Sequence, residues 1–381
     1  MRASMISAAL VAGLVGYGST IALVLAAALA VGASPEQSAS WIAAICFGKA
    51  IGSILLSSWK KVPVVLAWST PGAALIAAST GININDAVGA FLLAGAMIAL
   101  TGALPPVNRA VSAIPTGVAS GMLAGVLLPF CMAVATYAVA DWQLVLPVIA
   151  VFVLVRVFNP LYAVLAALAV GIAVAFAFAG VPAPAFRFDA QPLVFIKPTF
   201  DFAVLLGLGV PLYLVTMASQ NLPGFAVMRA HGYKPPVAAS LAVTGVGSMI
   251  TAVFGAHTHN MAAITAAICM GDDVEPDRAK RWRVGVVYGV VWILLGLFGP
   301  VIIPTIAAMP KAIIAVVAGL ALITPLMGAL TSAFEDASTR FSAATTFIVT
   351  ASGIAAFGIG AAFWGLLAGL TVYMLDRIKS R

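Results

Sequence analysis

The stretch that decides the fold of this chain is VPVVLAWSTPG, residues Val62 to Gly72. It opens with β-branched residues, which favour an extended strand. It ends in Ser69-Thr70-Pro71, a hydroxyl followed by proline that is typical of the first turn of a helix. A helix that begins there leaves backbone N–H groups free in the middle of an apolar segment, which membrane proteins tolerate only inside protein or beside a cavity. The stretch therefore predicts a half-helix whose N-terminus faces an internal site.

The composition places this stretch in a membrane. The chain has 381 residues but only 19 Lys and Arg and 12 Asp and Glu, so 8% of it is charged, against roughly 25% in a soluble domain. Hydrophobic residues make up 63%, and the mean hydropathy is +1.13. These values exclude a water-soluble enzyme. Because each span takes about 20 residues, crossings fill the chain and leave little room for an extramembrane domain.

The apolar runs form two sets of seven, separated by a proline-rich connector. They cover residues 5–30, 38–58, 62–80, 87–103, 110–130, 143–157 and 159–180, then 202–222, 236–254, 255–270, 283–303, 310–329, 341–356 and 360–376. An odd number of spans per half makes the second half insert upside down relative to the first. We predict an all-α polytopic membrane protein with 14 transmembrane segments in 7+7 inverted repeats. Its divisions are a first repeat at 1–185, a linker at 186–200 and a second repeat at 201–381.

Weak internal similarities support the repeat. Residues 69–78 align with 257–266, and Pro115 to Pro129 resembles Pro310 to Pro325. The first alignment predicts a second half-helix that begins at His259–Met261. In the inverted arrangement both N-termini point at one midplane site, and the positive end of a helix dipole suits a carboxylate. The alternative for each segment is an ordinary proline-kinked span.

The basic residues give the orientation. With a cytoplasmic N-terminus and alternating spans, Arg187, Lys197 and Lys311 fall outside, Lys49 lies within a span, and all other Lys and Arg residues fall inside. This asymmetry follows the positive-inside rule, and it predicts that both termini are cytoplasmic. The net charge of +7 is therefore a topology signal and does not indicate a nucleic-acid partner.

Few ionisable groups remain at membrane depth, where each is costly and usually functional. All 12 acidic residues fall in loops or at span ends, which leaves Lys49, His257, His259 and, at a span end, Arg156. Histidine titrates nearest to neutral pH, so both histidines are candidate proton carriers; a structural hydrogen-bonding role is the alternative. Lys49 has three open roles: pairing with a carbonyl, countering a substrate anion, or snorkelling. The three cysteines lie in apolar runs without metal-site spacing, so we predict no metal and no cofactor.

Two further polar features have alternative interpretations. Gln220 and Asn221, before a Pro-Gly pair, are donors for a carboxylate or mark an interfacial helix end. Tyr17, in a glycine-rich part of the first span, projects into a cavity or packs between helices.

The acidic run at Gly271–Asp277 is the one hint of an enzyme. Its spacing resembles the magnesium-diphosphate motif of membrane prenyltransferases. Those enzymes need two such clusters, and here a single run is followed at once by the bases of Arg278–Arg283. A cytoplasmic loop balanced by its own bases is the favoured interpretation, and no catalytic residue is predicted.

Three motifs in order carry a resemblance to a known family. Residues Ala67–Leu75, Thr216–Gly224 and Gly255–Asn260 resemble the BenE-type benzoate/proton symporters, and the resemblance runs the full length of the chain. The resemblance implies import of benzoate with protons across a bacterial inner membrane. It also implies contact with membrane lipid, and a homodimer, since proteins of this fold class often dimerise.

That family is similar to the nucleobase permeases of the uracil-transporter type. The similarity implies core and gate domains that interleave the two repeats, with a short strand before the half-helix in the third and tenth spans. The permeases carry acidic residues on the eighth and tenth spans, where this chain has Ser219 and His259. Neutral or cationic groups at these positions suit an anionic substrate, and they put in doubt a direct transfer of the coupling mechanism.

We therefore hypothesise that an aromatic carboxylate binds between the two half-helix N-termini. Trp68, Phe254 or Tyr17 packs on its ring, and His259 or His257 takes a proton. Another organic anion or a nucleobase is the alternative substrate. The predicted substrate-binding residues are Tyr17, Trp68, Ser69, Thr70, Gly72, Ala73, Ser219, Gln220, Asn221, His257, Thr258, His259 and Asn260.

Overall fold

The computed structural model describes residues 2–104, 114–178, 193–262, 264–299, 305–306 and 308–379. In the first half the elements are α1 (Ala3–Ala30), α2 (Pro35–Lys60), β1 (Leu66–Trp68), α3 (Thr70–Ala77), α4 (Ile84–Ala103), α5 (Thr116–Ala140), α6 (Trp142–Phe158) and α7 (Pro160–Phe178). In the second half they are α8 (Phe202–Ala230), α9 (Val237–Ala252), β2 (His259–Met261), α10 (Ile264–Met270), α11 (Trp282–Leu297), α12 (Lys311–Phe334), α13 (Arg340–Ala351) and α14 (Ala361–Lys379). By length and composition, 7 of the described helices can cross a membrane.

Two crossings are interrupted as predicted. The strand β1 leads into the half-helix α3, and β2 leads into α10. The strands pair antiparallel, with Leu66 opposite Met261 and Trp68 opposite His259. Because each strand satisfies the backbone of the other, extended chain is accommodated in the protein interior.

The helices pack in two groups that each draw on both halves of the chain. In the core group α2 packs along α11, α4 along α9, and α1 covers α3, with the two strands between them. In the gate group α5 packs against α12 and α13, α6 against α7, and α13 against α14. The half-helix α3 also contacts α5, so the interrupted crossings lie where the two groups meet.

The repeat is clear in the gate group. Helix α5 follows Pro115 and contains Pro129, and α12 follows Pro310 and contains Pro325. The sequence alignment of these two segments is therefore reproduced by the helices.

The alignment of the interrupted crossings is wrong by several residues. Residues His259–Met261 form β2 and not the first turn of a helix, and α10 begins only at Ile264. The N–H of His259 donates to the Ser248 hydroxyl (2.8 Å) and that of Met261 to the Asn221 side chain (2.9 Å). These bonds hold the segment extended, whereas the first crossing has a hydroxyl and a proline that start its helix.

Two helices extend beyond their predicted ends. Helix α5 runs to Ala140 instead of residue 130, and α8 runs to Ala230 instead of residue 222. Helix α5 contains Pro129, and α8 contains Pro223 of the Pro-Gly pair that the sequence associates with an interfacial helix end. In α8 a π-helical turn at Met217–Asn221 directly precedes Pro223, and such a turn accommodates the missing hydrogen bond.

The predicted linker lies partly outside the described residues, at 186–192, as do Arg109 and Arg187. Residues 193–200 form neither helix nor strand and run along the core group. The N–H of Ile196 donates to Val253 (2.7 Å) and that of Thr199 to Asn85 (3.0 Å). This part of the connector is therefore fixed to the ends of α9 and α4.

Candidate functional site

A chain of hydroxyl groups anchors the N-terminus of α3. The Ser69 hydroxyl accepts from the Gly72 N–H (3.1 Å) and from the Thr216 hydroxyl (3.0 Å). Thr216 in turn lies 2.8 Å from the Thr258 hydroxyl. All of these side chains are buried, so α3, α8 and the chain before β2 are joined at one point inside the protein.

The first turn of α3 contains three more of the predicted residues. The N–H of Ala73 donates to the Ser69 carbonyl (2.8 Å), and Thr70 is half-buried. Gly72 has no room for a side chain, because a Cβ there would lie 2.6 Å from Leu212 and 2.7 Å from the Ser69 hydroxyl. This turn is therefore packed closely against α8.

His257 has both ring nitrogens in hydrogen bonds. The indole N–H of Trp41 donates to Nδ1 (3.0 Å), and Nε2 lies 3.1 Å from the Ser69 carbonyl. Indole is only a donor and a carbonyl only an acceptor, so the ring is neutral with its proton on Nε2. Protonation of Nδ1 breaks the bond to Trp41. His257 therefore joins α2 to the start of α3 as a neutral structural group.

His259 differs from His257 in its second nitrogen. Its Nε2 lies 2.8 Å from the Thr251 hydroxyl, which donates to the Gly247 carbonyl (2.9 Å) and therefore accepts from Nε2–H. Its Nδ1 is buried and has no hydrogen-bond partner among the described residues. This nitrogen is free to accept a proton. The amide of the adjacent Asn260 is likewise buried without a partner in the described part of the chain.

An aromatic cluster surrounds a buried lysine beside β1. The Lys49 ammonium lies 3.7 Å from the ring centre of Trp68 and 2.8 Å from that of Trp292. The ring centre of Tyr17 is 6.1 Å from Trp68 and 5.8 Å from Trp292. The Tyr17 hydroxyl is buried without a partner among the described residues. The cluster therefore combines a cation, three aromatic faces and an unused hydroxyl.

The predicted residues of α8 lie in the interior of that helix, not at an interfacial end. The Ser219 hydroxyl donates to the Val215 carbonyl (2.5 Å), and Gln220 is half-buried. Asn221 is buried, and its carbonyl accepts from the Met261 N–H. Asn221 therefore holds β2 in place, while Ser219 bonds its own helix.

An apolar cavity lies elsewhere in the core group. It measures about 510 Å³ between α2 and α9, and its lining is apolar apart from Thr251. Phe254 lines this cavity and does not join the aromatic cluster. Ile51 and Ile250 on its rim are exposed on the outer surface of the protein, so this cavity faces lipid.

Three of the four acidic residues in the run Gly271–Asp277 lie beside bases. Asp272 pairs with Arg281, Glu275 lies 3.7 Å from Arg2, and Asp277 lies 2.8 Å from Lys280. The hydrogen bond from Lys280 lowers the pKa of Asp277. Within the described residues no group of three potential ligands could hold a metal ion.

Sequence reasoning missed four contributors to the site: Trp41, Thr216, Thr251 and Trp292. Thr216 stood in a quoted motif, but its role depends on the turn that places it beside Ser69. Trp41 and Trp292 lie in apolar spans far from β1 and β2 in sequence, and Thr251 lies eight residues before His259 at the end of α9. No local pattern marks these three residues.

Two interrupted crossings that meet around a buried cationic and aromatic cluster define a membrane transporter of anions. The chain belongs to the benzoate membrane transport family, since residues 1–375 match the family described as "BenE: Benzoate membrane transport protein". The members of this family are transporters, which excludes the prenyltransferase alternative.

The relatives and a solved structure agree with this assignment. The chain is 39% identical over 371 residues to the inner membrane protein YdcO of Escherichia coli (strain K12), covering 97% of this chain and 94% of that protein. It is 32% identical over 369 residues to the benzoate membrane transport protein of Acinetobacter baylyi, again covering 97% and 94%. The transmembrane domain of the cyanobacterial bicarbonate transporter BicA matches with a TM-score of 0.59 at 14% identity, covering 99% of this chain and 98% of that one. This likeness confirms the predicted 7+7 inverted-repeat fold.

Proposed function

We propose that this protein is a secondary transporter that imports benzoate, or a closely similar aromatic carboxylate, together with protons across a bacterial inner membrane. The observation that carries the proposal is the aromatic cluster of Tyr17, Trp68 and Trp292 beside the N-terminus of α3. The relative from Acinetobacter baylyi, which is named for benzoate, supports the same substrate.

The two parts of the substrate match the two parts of the site. An aromatic ring packs favourably against indole and phenol faces at the 5–6 Å spacing that this cluster has internally. A carboxylate is stabilised by the N-terminus of α3 and by hydroxyl donors, which Tyr17 and Thr70 supply. Trp68 ends β1, Ser69 caps α3 and Gly72 lies in its first turn, and these positions support their predicted roles.

Of the two histidines, His259 is the better proton carrier. A carrier must gain and lose a proton without dismantling the fold. The Nδ1 of His259 has no hydrogen-bond partner within the described residues, whereas both nitrogens of His257 bond to neighbouring elements. Benzoate and a proton that bind together cross without net charge, which lowers the cost of passing the apolar core of the membrane.

Access to the site requires the two helix groups to move. The polar residues around β1 and β2 are buried, and α3 is covered by α5 of the gate group. A displacement of the core group against the gate group uncovers this turn alternately on each side of the membrane. The excess of basic residues on one side of the predicted spans supports a cytoplasmic N-terminus and a cytoplasmic C-terminus.

Uptake into proteoliposomes tests the proposal. Purified protein should accumulate radiolabelled benzoate when the interior is alkaline, and a protonophore should abolish the accumulation. Excess unlabelled benzoate should compete, and uracil should not. Benzoate uptake that does not change with the proton gradient would contradict proton coupling. The absence of any benzoate uptake would contradict benzoate as the substrate.

A further inference from the structure

A lysine in the middle of a membrane helix is unfavourable because its charge is removed from water, so such a residue usually has a function. Lys49 lies 14 residues after Pro35 in α2, about 21 Å along the helix at 1.5 Å per residue. Its side chain is 1% exposed. A side chain at that depth does not reach the membrane surface, which excludes snorkelling.

The ammonium of Lys49 has no anionic partner in the described part of the chain. The ion pairs there involve Arg2, Lys280 and Arg281, and no hydrogen bond to a carbonyl is formed by Lys49. Its neighbours are the faces of Trp68 and Trp292. These faces favour a cation, but they do not replace a counter-ion for a charge removed from water. Since the ammonium of Lys49 donates to no carbonyl among the described residues, the role of pairing with a carbonyl is excluded.

Packing does not account for the residue either. Methionine fills a similar volume beside aromatic rings without the desolvation of a charge. The ammonium also stands next to the residues where the substrate is proposed to bind, because Trp68 directly precedes the Ser69 cap of α3. A cation and a Tyr17 hydroxyl that both lack a polar partner among the described residues, together with aromatic walls, fit an aromatic carboxylate.

We propose that Lys49 is the counter-cation of the substrate carboxylate, which supplies the anionic partner that Lys49 lacks in the described part of the chain. The inference rests on the proposed function and names the residue that selects an anion over a neutral aromatic compound.

Binding of paired ligands to the purified full-length protein in detergent tests this role. Benzoate and benzamide have the same ring, but only benzoate carries the charge. We expect Lys49→Met to weaken benzoate binding at least thirtyfold, about 2 kcal/mol, since it removes one partner of a buried charge pair. Benzamide binding should change less than about threefold. Lys49→Arg should retain benzoate binding to within about tenfold, and Lys311→Met, at an exposed helix start, should match the wild type.

Elution as a single species and an unchanged melting temperature verify that each variant is folded. Lys49→Gln replaces Lys49→Met if the latter aggregates. Equal benzoate affinity in the wild type and either neutral variant would overturn the inference. A wild type that does not bind benzoate would contradict the proposed function instead. In that case the same variants are compared for binding of acetate or nicotinate, whichever the wild type binds. If the wild type binds none of the three carboxylates, both the proposed function and the role of Lys49 are overturned.

Discussion

The two interrupted crossings share a backbone design but differ in chemistry. In the first, β1 turns into α3 through the Ser69 cap and Pro71, and the segment presents Trp68 to the aromatic cluster. In the second, β2 is held extended by side chains of α8 and α9, and it presents His259. The first crossing thus contributes an aromatic side chain and the start of a helix, and the second contributes a titratable side chain. The same break in a repeat can be made by capping or by side-chain bonds to an extended strand.

The largest effect is expected for His259, the titratable residue of the second interrupted crossing. His259→Gln should reduce benzoate accumulation driven by a proton gradient about 100-fold, in the upper range of coupling between two sites. Exchange of labelled for unlabelled benzoate at equal pH should persist, because it needs no net proton transfer. His231→Gln, at the end of α8, is the matched control. Full gradient-driven accumulation by His259→Gln would assign the proton elsewhere.

Crowding the same histidine should have a smaller effect. A Cβ on Gly48 would contact the Nε2 of His259 and lie 2.8 Å from Thr251 Cγ2. Gly48→Ala therefore disturbs the bond between these side chains, and we expect uptake to fall about tenfold, within the range of 1–3 kcal/mol for overpacking. At Gly328 a Cβ meets nothing within 4 Å, so Gly328→Ala serves as the control. Equal rates for the two variants would contradict this packing around His259.

The structural role of His257 predicts a loss of stability without a change in coupling. Trp41→Phe removes the donor to His257 Nδ1 and leaves a buried acceptor unpaired, at a cost of about 1–3 kcal/mol. The melting temperature should fall, while the pH dependence of uptake should keep its shape. Trp59→Phe, at a 59% exposed position, should leave both unchanged. A shifted pH profile in Trp41→Phe would mean that His257 takes part in proton transfer.

The smallest effect compares two serine caps. Ser69 caps α3 inside the site, and Ser34 caps α2 at its end, each accepting from a backbone N–H. Both alanine variants should lose about 1 kcal/mol of stability. Only Ser69→Ala should also raise the KM for benzoate, about threefold, because the first turn of α3 loses its link to Thr216. Equal KM values would show that this turn does not touch the substrate.

The sequence was sufficient for features that depend on local patterns. Ser69-Thr70-Pro71 predicted the start of α3, and the apolar runs predicted the membrane fold. The position of α10 was not predictable in this way, since the extended state of His259–Met261 depends on Ser248 and Asn221 from other helices.

Long-range contacts explain the remaining differences. Pro129 and Pro223 are typical helix stops in sequence, yet the helices continue through them. The distinction between His257 and His259 depends on Trp41 and Thr251, which approach them only in the folded chain. The setting of Lys49 likewise depends on Trp292, which lies on α11.

The location of the bound ligand is the most direct test of this account. A structure with 4-bromobenzoate allows the bromine to be placed by its anomalous scattering. We predict a bromine peak beside Trp68 and Tyr17, with the carboxylate toward Lys49 and the first turn of α3. A peak confined to the apolar cavity between α2 and α9 would contradict the proposed site.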